Sequence, residues 1–123
     1  MFEVTIEQTF AAGHALRNYK GKCENVHGHN YRCQVTMEGD SLDHVGLLID
    51  FVELKKAVGS VIDRMDHQWL NDYPPFDVLN PSAENIAKYI YDEVLSAITA
   101  APGVKLGSVR LWETDTSFAT YRR

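Results

Sequence analysis

Phe2-Glu3-Val4-Thr5-Ile6-Glu7-Gln8-Thr9-Phe10-Ala11-Ala12-Gly13-His14 places Phe2, Val4, Ile6, Phe10 and Ala12 on one parity and Glu3, Thr5, Glu7 and Thr9 on the other. Successive side chains of a strand point to opposite faces, so this alternation reads as a half-buried β-strand. His14 falls on its apolar parity. A loop from Arg17 to Val26, containing glycine and charge, leads to a second alternating run from about His27 to Gly39. There Tyr31, Cys33, Val35 and Met37 share one face, and Arg32, Gln34, Thr36 and Glu38 the other.

Further along, the period changes. Asp50 is placed to cap a helix, since its carboxylate accepts from unpaired first-turn N–H groups. Behind it Phe51, Leu54, Val58, Val61 or Ile62, and Met65 recur at helical spacing as one apolar stripe. A loop with Pro74, Pro75 and Pro81 ends that element. A second amphipathic helix is predicted from about Ser82 to Thr99, with Ile86, Ile90, Val94 and Ala97 or Ile98 inward, and Pro102-Gly103 breaks it. Two strands close the chain, Lys105 to Thr114 and Ser117 to Arg122, with a tight turn near Asp115. The order strand, strand, helix, helix, strand, strand predicts an α+β fold with both helices on one face of an antiparallel four-stranded sheet. The open edges of so small a sheet invite pairing with another subunit, so a homo-oligomer is expected.

The chain has 123 residues, which suits one domain over 1–123. With 45% apolar and 24% charged residues the composition is that of an ordinary globular protein. Apolar runs are too short for a membrane span, and Met1 to Ile6 lack the pattern of a secretion signal. The net charge of −5 argues against nucleic-acid or anionic-membrane partners. Two cysteines, Cys23 and Cys33, do not form a disulfide framework, so a reduced cytoplasmic setting is expected. Local charge differs from the average: Arg17, Lys20 and Lys22 lie in a stretch without acids between Glu7 and Glu24. They read either as a solvated loop or as a landing site for an anionic substrate beside Cys23, where they would also favour a thiolate.

The segment Cys23-Glu24-Asn25-Val26-His27-Gly28-His29 carries the chemistry. Residues i and i+2 of a strand project to the same side, so His27 and His29 can meet on one ion, and His14 can join them from the preceding strand. Three imidazoles suit Zn2+ and leave its fourth position for water or substrate. Cys23 reads either as a catalytic thiol or as a fourth, structural zinc ligand; Cys33, at inward parity, reads as a small core residue. Asp66-His67 ends the first helix, and with a cysteine it would give the thiol–imidazole–carboxylate relation that makes a reusable base. Glu113 follows Val109 and Leu111 on the inward parity. In a pocket it would hold a planar, guanidine-like donor edge by two parallel hydrogen bonds.

These motifs resemble those of the 6-pyruvoyl-tetrahydropterin synthase / 6-carboxytetrahydropterin synthase family along almost the whole chain. The likeness runs through Phe10-Ala11-Ala12-Gly13-His14, Cys23-x-x-x-His27-Gly28-His29-Asn30-Tyr31 and Ile49-Asp50-Phe51 with Glu53-Leu54-Lys55. It continues through Asp66-His67 with Leu70-Asn71, Asn80-Pro81-Ser82-Ala83-Glu84-Asn85, and Glu113. The resemblance implies a T-fold whose strands assemble into an oligomeric barrel, usually a hexamer of two trimers. It implies zinc on His14, His27 and His29, Cys23 as proton acceptor, and an Asp66–His67 relay supplied from a neighbouring subunit. Glu113 would bind the pterin ring, and Ser82 stands where the family usually has a threonine near it. The implied substrate is 7,8-dihydroneopterin triphosphate. The three-residue gap between Cys23 and His27 resembles the bacterial 6-carboxytetrahydropterin synthases, which also release acetaldehyde and feed 7-deazaguanine (queuosine) synthesis.

Glu24 departs from that pattern. Glu24-x-x-His27 also resembles members that form 6-hydroxymethyl-7,8-dihydropterin for folate, and carrying both acids resembles bifunctional variants; Glu24 also reads as a solvated loop residue. A 6-pyruvoyl product, a noncatalytic zinc- or pterin-binding oligomer, and a zinc hydrolase are the other readings. The hydrolase leaves Cys23, Asp66-His67 and Glu113 unexplained together.

Overall fold

A computed structural model of the chain describes residues 1–18 and 26–123. Strand β1 (Phe2–His14) pairs antiparallel with β2 (His27–Gly39) in an unbroken register from Phe2 opposite Gly39 to His14 opposite His27. Helix α1 (Phe51–Met65) follows, then a two-residue strand β3 (Gln68–Trp69), a 3-10 turn (Leu70–Asp72) and helix α2 (Ala83–Ala97). Strands β4 (Val104–Thr114) and β5 (Ser117–Tyr121) complete a five-stranded sheet of order β3-β1-β2-β4-β5. Four of these strands are the antiparallel ones expected. The fifth, β3, lies parallel to the end of β1, with Ala12 opposite Gln68 and Gly13 opposite Trp69. Two residues are too few for an alternating pattern to be visible in the sequence.

Both helices cover the face formed by the predicted inward parities. Ile6, Phe10 and Ala12 of β1, Tyr31, Cys33, Val35 and Met37 of β2, and Leu106, Val109 and Leu111 of β4 are buried there. Helix α1 packs over β1, and α2 over β4 and β5. Asp50 caps α1 as predicted, its carboxylate accepting from Val52 N at 2.8 Å. Leu54, Val58, Val61, Ile62 and Met65 form the buried stripe, but Phe51 is 49% exposed. Helical side chains lean toward the N-terminus, so the first residue of α1 reaches beyond the length that packs. Ser82 proves to be the cap of α2 rather than its first residue, and at the other end Ile98, not Ala97, turns toward the core. Burial pushes the Cys33 thiol up to about 12, in keeping with a core residue and no reactive role.

Candidate metal centre

The β1–β2 register brings the end of one strand against the start of the next, and the three histidines with them. His14 and His27 are cross-strand partners, and His29 is paired with Ala12, two residues back from His14. His14 Nε2 lies 3.0 Å from His27 Nε2, and the three rings sit edge to face with centroids 4.6, 5.0 and 4.8 Å apart. Glu113 enters from the end of β4: its Oε1 is 3.2 Å from His29 Nε2 and 4.0 Å from His14 Nε2. One donor atom from each of His14, His27, His29 and Glu113 falls within 4.8 Å of all the others. The sequence reading places Glu113 at the pterin ring. Among the described residues it is also the fourth potential donor of the cluster.

His14 is 1% exposed, and its Nδ1–H donates to the Pro81 carbonyl at 2.8 Å. A carbonyl can only accept, so the neutral ring carries its proton on Nδ1 and turns the Nε2 lone pair to the cluster. Burial holds the His29 imidazole below its ordinary range; Glu113 opposes that shift, and His14 and His27 reinforce it. A neutral imidazole is what a metal requires. His29 Nε2 is buried and, despite its 3.2 Å approach to Glu113, has no hydrogen bond of acceptable alignment among the described residues. Two Zn–N bonds of about 2.0–2.1 Å at the tetrahedral angle set nitrogens roughly 3.3 Å apart, close to the spacing of His14 and His27. The donor set and the unpartnered nitrogen therefore fit a zinc ion.

Two clefts flank the cluster. One, of about 470 Å³, is bordered by Gly13, Gly28, His29, Asn30, His67 and Trp69. The other, about 450 Å³, is bordered by Glu84, Glu113, Ser117, Phe118 and Thr120. His67 thus shares a cleft with His29 within one chain. Its backbone is left-handed, φ 60°, an uncommon conformation for a residue with a side chain. The turn is pinned by His67 N donating to Ala11 O at 2.6 Å, while Asp66 Oδ1 accepts from Ala11 N at 2.9 Å. Asp66 Oδ2 lies 3.0 Å from His67 Nδ1. The Ala11 N–H, and then His67, hold the Asp66 carboxyl below its usual range.

Several other sequence expectations can be placed. The Ser82 hydroxyl accepts from Asn85 N at 3.2 Å and retains its own hydrogen to donate. The Arg17 guanidinium donates to the carbonyls of Leu79, Asn71 and Phe76. Cys23, Glu24, Lys20 and Lys22 lie outside the described residues. Sequence reading missed two asparagine clamps. Asn71 accepts from Ala15 N and donates to Ala15 O, at 2.9 and 2.8 Å. Asn80 does the same for Arg17, at 2.9 and 3.0 Å. The segment following His14 is thereby fixed by side chains in place of a neighbouring strand. Leu70-Asn71 and Asn80-Pro81 were visible as motifs, but side chain to backbone pairs across more than fifty positions leave no spacing signal.

Residues 3–123 match the family model described as 6-pyruvoyl tetrahydropterin synthase. A 6-carboxy-5,6,7,8-tetrahydropterin synthase of Haemophilus influenzae is 36% identical over 149 aligned residues, which take in 99% of each chain. The protein of that name from Bacillus subtilis is 37% identical over 129, covering 98% of this chain and 85% of its own. The structure of Caenorhabditis elegans 6-pyruvoyl tetrahydropterin synthase superposes with a TM-score of 0.83 at 32% identity, over 100% of this chain and 97% of that one.

Proposed function

The chain belongs to the 6-pyruvoyl tetrahydropterin synthase family and has its T-fold, and on that premise we propose that it is a zinc-dependent 6-carboxy-5,6,7,8-tetrahydropterin synthase. With one water it converts 7,8-dihydroneopterin triphosphate to 6-carboxytetrahydropterin, acetaldehyde and triphosphate. The observation that carries the reading is the convergence of His14, His27 and His29 around the unpartnered His29 Nε2, beside Glu113. The names of the relatives from Haemophilus influenzae and Bacillus subtilis favour the 6-carboxy product.

A zinc ion on the three histidines would supply Lewis acidity toward the hydroxyls of the substrate side chain. Cys23 accepts the carbon-bound proton, and His67 takes it onward. Asp66, 3.0 Å from His67 Nδ1, holds that ring so that its other nitrogen is left for the thiol. Glu113 accepts two parallel N–H donors from the pterin edge, and the hydrogen of the Ser82 hydroxyl is available to the same ring. The open edge of β5 supports assembly with further copies. On the family pattern the assembly is a homohexamer of two trimers, each chain one T-fold domain over 1–123, with the Asp66–His67 pair serving a neighbour's Cys23. The same reading makes the protein a cytoplasmic lyase that feeds 7-deazaguanine (queuosine) synthesis.

Mass spectrometry of the products formed from dihydroneopterin triphosphate by the zinc-loaded protein tests the proposal. Equimolar 6-carboxytetrahydropterin and acetaldehyde are expected. A 6-pyruvoyl product without acetaldehyde, or 6-hydroxymethyl-7,8-dihydropterin as sole product, would move the chain to the other branches of the family. Zinc bound at one ion per chain with no turnover would leave a noncatalytic binding protein.

A further inference from the structure

Tyr31 is fully buried, yet its hydroxyl has no hydrogen-bond partner among the described residues. A buried hydroxyl left unpaired is destabilising, so keeping one there points to a partner in another state of the site. The ring stacks on Phe10 at 4.9 Å and meets the edges of His29 at 5.5 Å and His14 at 5.9 Å. Tyr31 therefore forms part of the floor of the metal centre, on the same face of β2 as His27 and His29.

The neighbouring groups narrow down what the hydroxyl can donate to. Phe10 has no acceptor. His14 Nδ1 is bonded to Pro81, and the Nε2 atoms of His14 and His29 face the cluster. That leaves Glu113. The β2–β4 ladder ends at Arg32 opposite Trp112, so Tyr31 and Glu113 are the next residues on the two strands, and the Glu113 charge acts on the Tyr31 hydroxyl. Both contacts of Glu113 with the histidines use Oε1, and Oε2 makes neither of them.

Resting on the zinc and pterin reading above, we propose that Tyr31 is a positioning residue for Glu113: its hydroxyl donates to that carboxylate once the His29 Nε2 lone pair is taken by a metal. Glu113 Oε1 lies 3.2 Å from His29 Nε2, where a metal bound to that nitrogen would displace it. Loading removes that contact, and the phenol hydrogen becomes the tether that keeps the carboxylate aimed at the ligand. The tether belongs to the loaded state alone, which separates it from an ordinary core hydrogen bond.

Thermal melting of wild type and Tyr31→Phe, each with and without zinc and each repeated in a Glu113→Gln background, tests this. Without zinc the variant should melt at the wild-type temperature or slightly above. With zinc it should melt about 3–5 °C lower than wild type, and the difference should shrink in the Glu113→Gln background because its partner is changed. In the wild-type background KM for dihydroneopterin triphosphate should rise about tenfold with kcat little changed, as loss of a hydrogen bond to a charged group predicts. A loss of melting temperature already present without zinc would make the hydroxyl an ordinary structural group and overturn the proposal. So would an equal loss in both Glu113 backgrounds, or no loss in either zinc state. Should the wild type fail to turn over the pterin, the functional reading falls, while the zinc-dependent melting still decides the role of Tyr31.

Discussion

The Asp66 carboxylate is anchored by a backbone N–H and sits beside His67, and both lower its pKa. A carboxyl depressed on folding contributes stability that is complete above its unfolded pKa, about 3.9, and is lost as pH falls through the folded value. Asp66→Asn should therefore melt below wild type at pH 5 and above. The margin should narrow below about pH 4, as a pH series of melting curves can show. Cys23 and Glu24 call for a different measurement. Cys23→Ala should retain zinc at one ion per chain by metal analysis while 6-carboxytetrahydropterin formation falls by at least about 10²-fold, in the range typical for loss of an acid–base group. Zinc lost together with the thiol would make it a structural ligand. Any hydroxymethyl product that disappears in Glu24→Gln would give that carboxylate a catalytic part. At this scale the histidines were legible because strand period 2 puts positions 27 and 29 on one side. The Nδ1 partner of His14 was not legible, because it is a backbone carbonyl 67 positions away and carries no sequence signature.

Between the elements, the asparagine clamps take the place of a missing strand. Asn71→Ala would leave both polar groups of Ala15 without partners, at a cost of about 1–3 kcal/mol by urea denaturation. Asn71→Asp keeps the acceptor but loses the donor and should recover part of that loss. Arg17→Lys should destabilise as well, since one ammonium cannot span three carbonyls that a planar fork reaches together. The strands and helices themselves were largely readable. Alternation marked β1 and β2 to their ends, and the Asp50 cap and Leu54-to-Met65 stripe marked α1. What the sequence did not show was how Arg17 is fixed. Its charge is plain in the sequence, but the carbonyls that occupy it are brought there only by the turn between β3 and α2.

For the whole molecule, the question is which chain completes which site. His67 borders the same cleft as His29 in a single chain, whereas the family pattern gives the relay to a neighbour's cysteine. Co-refolding Cys23→Ala with His67→Ala decides between them. If the relay crosses subunits, mixed oligomers should regain up to about a quarter of wild-type activity, from sites that combine an intact thiol with an intact imidazole. If it stays within a chain, none should return. Assembly was only partly legible: sheet edges suggested partners, while β3, which closes part of the β1 edge, was too short to be seen.

The clamps have a further consequence. β1 and β2 are bolted together up to His14 and His27 by their own register, and the chain leaving β1 is tied off at Ala15 and Arg17. Two parts of the sequence are thereby freed to change at different rates. The histidine frame is anchored by the β1–β2 register and by the clamps on Ala15 and Arg17, so substitutions between Asn18 and Val26 leave those anchors in place. A scaffold built this way works like a fixed socket with an exchangeable tool. New products on the same pterin can then arise by replacing a short run of residues, with no new fold required.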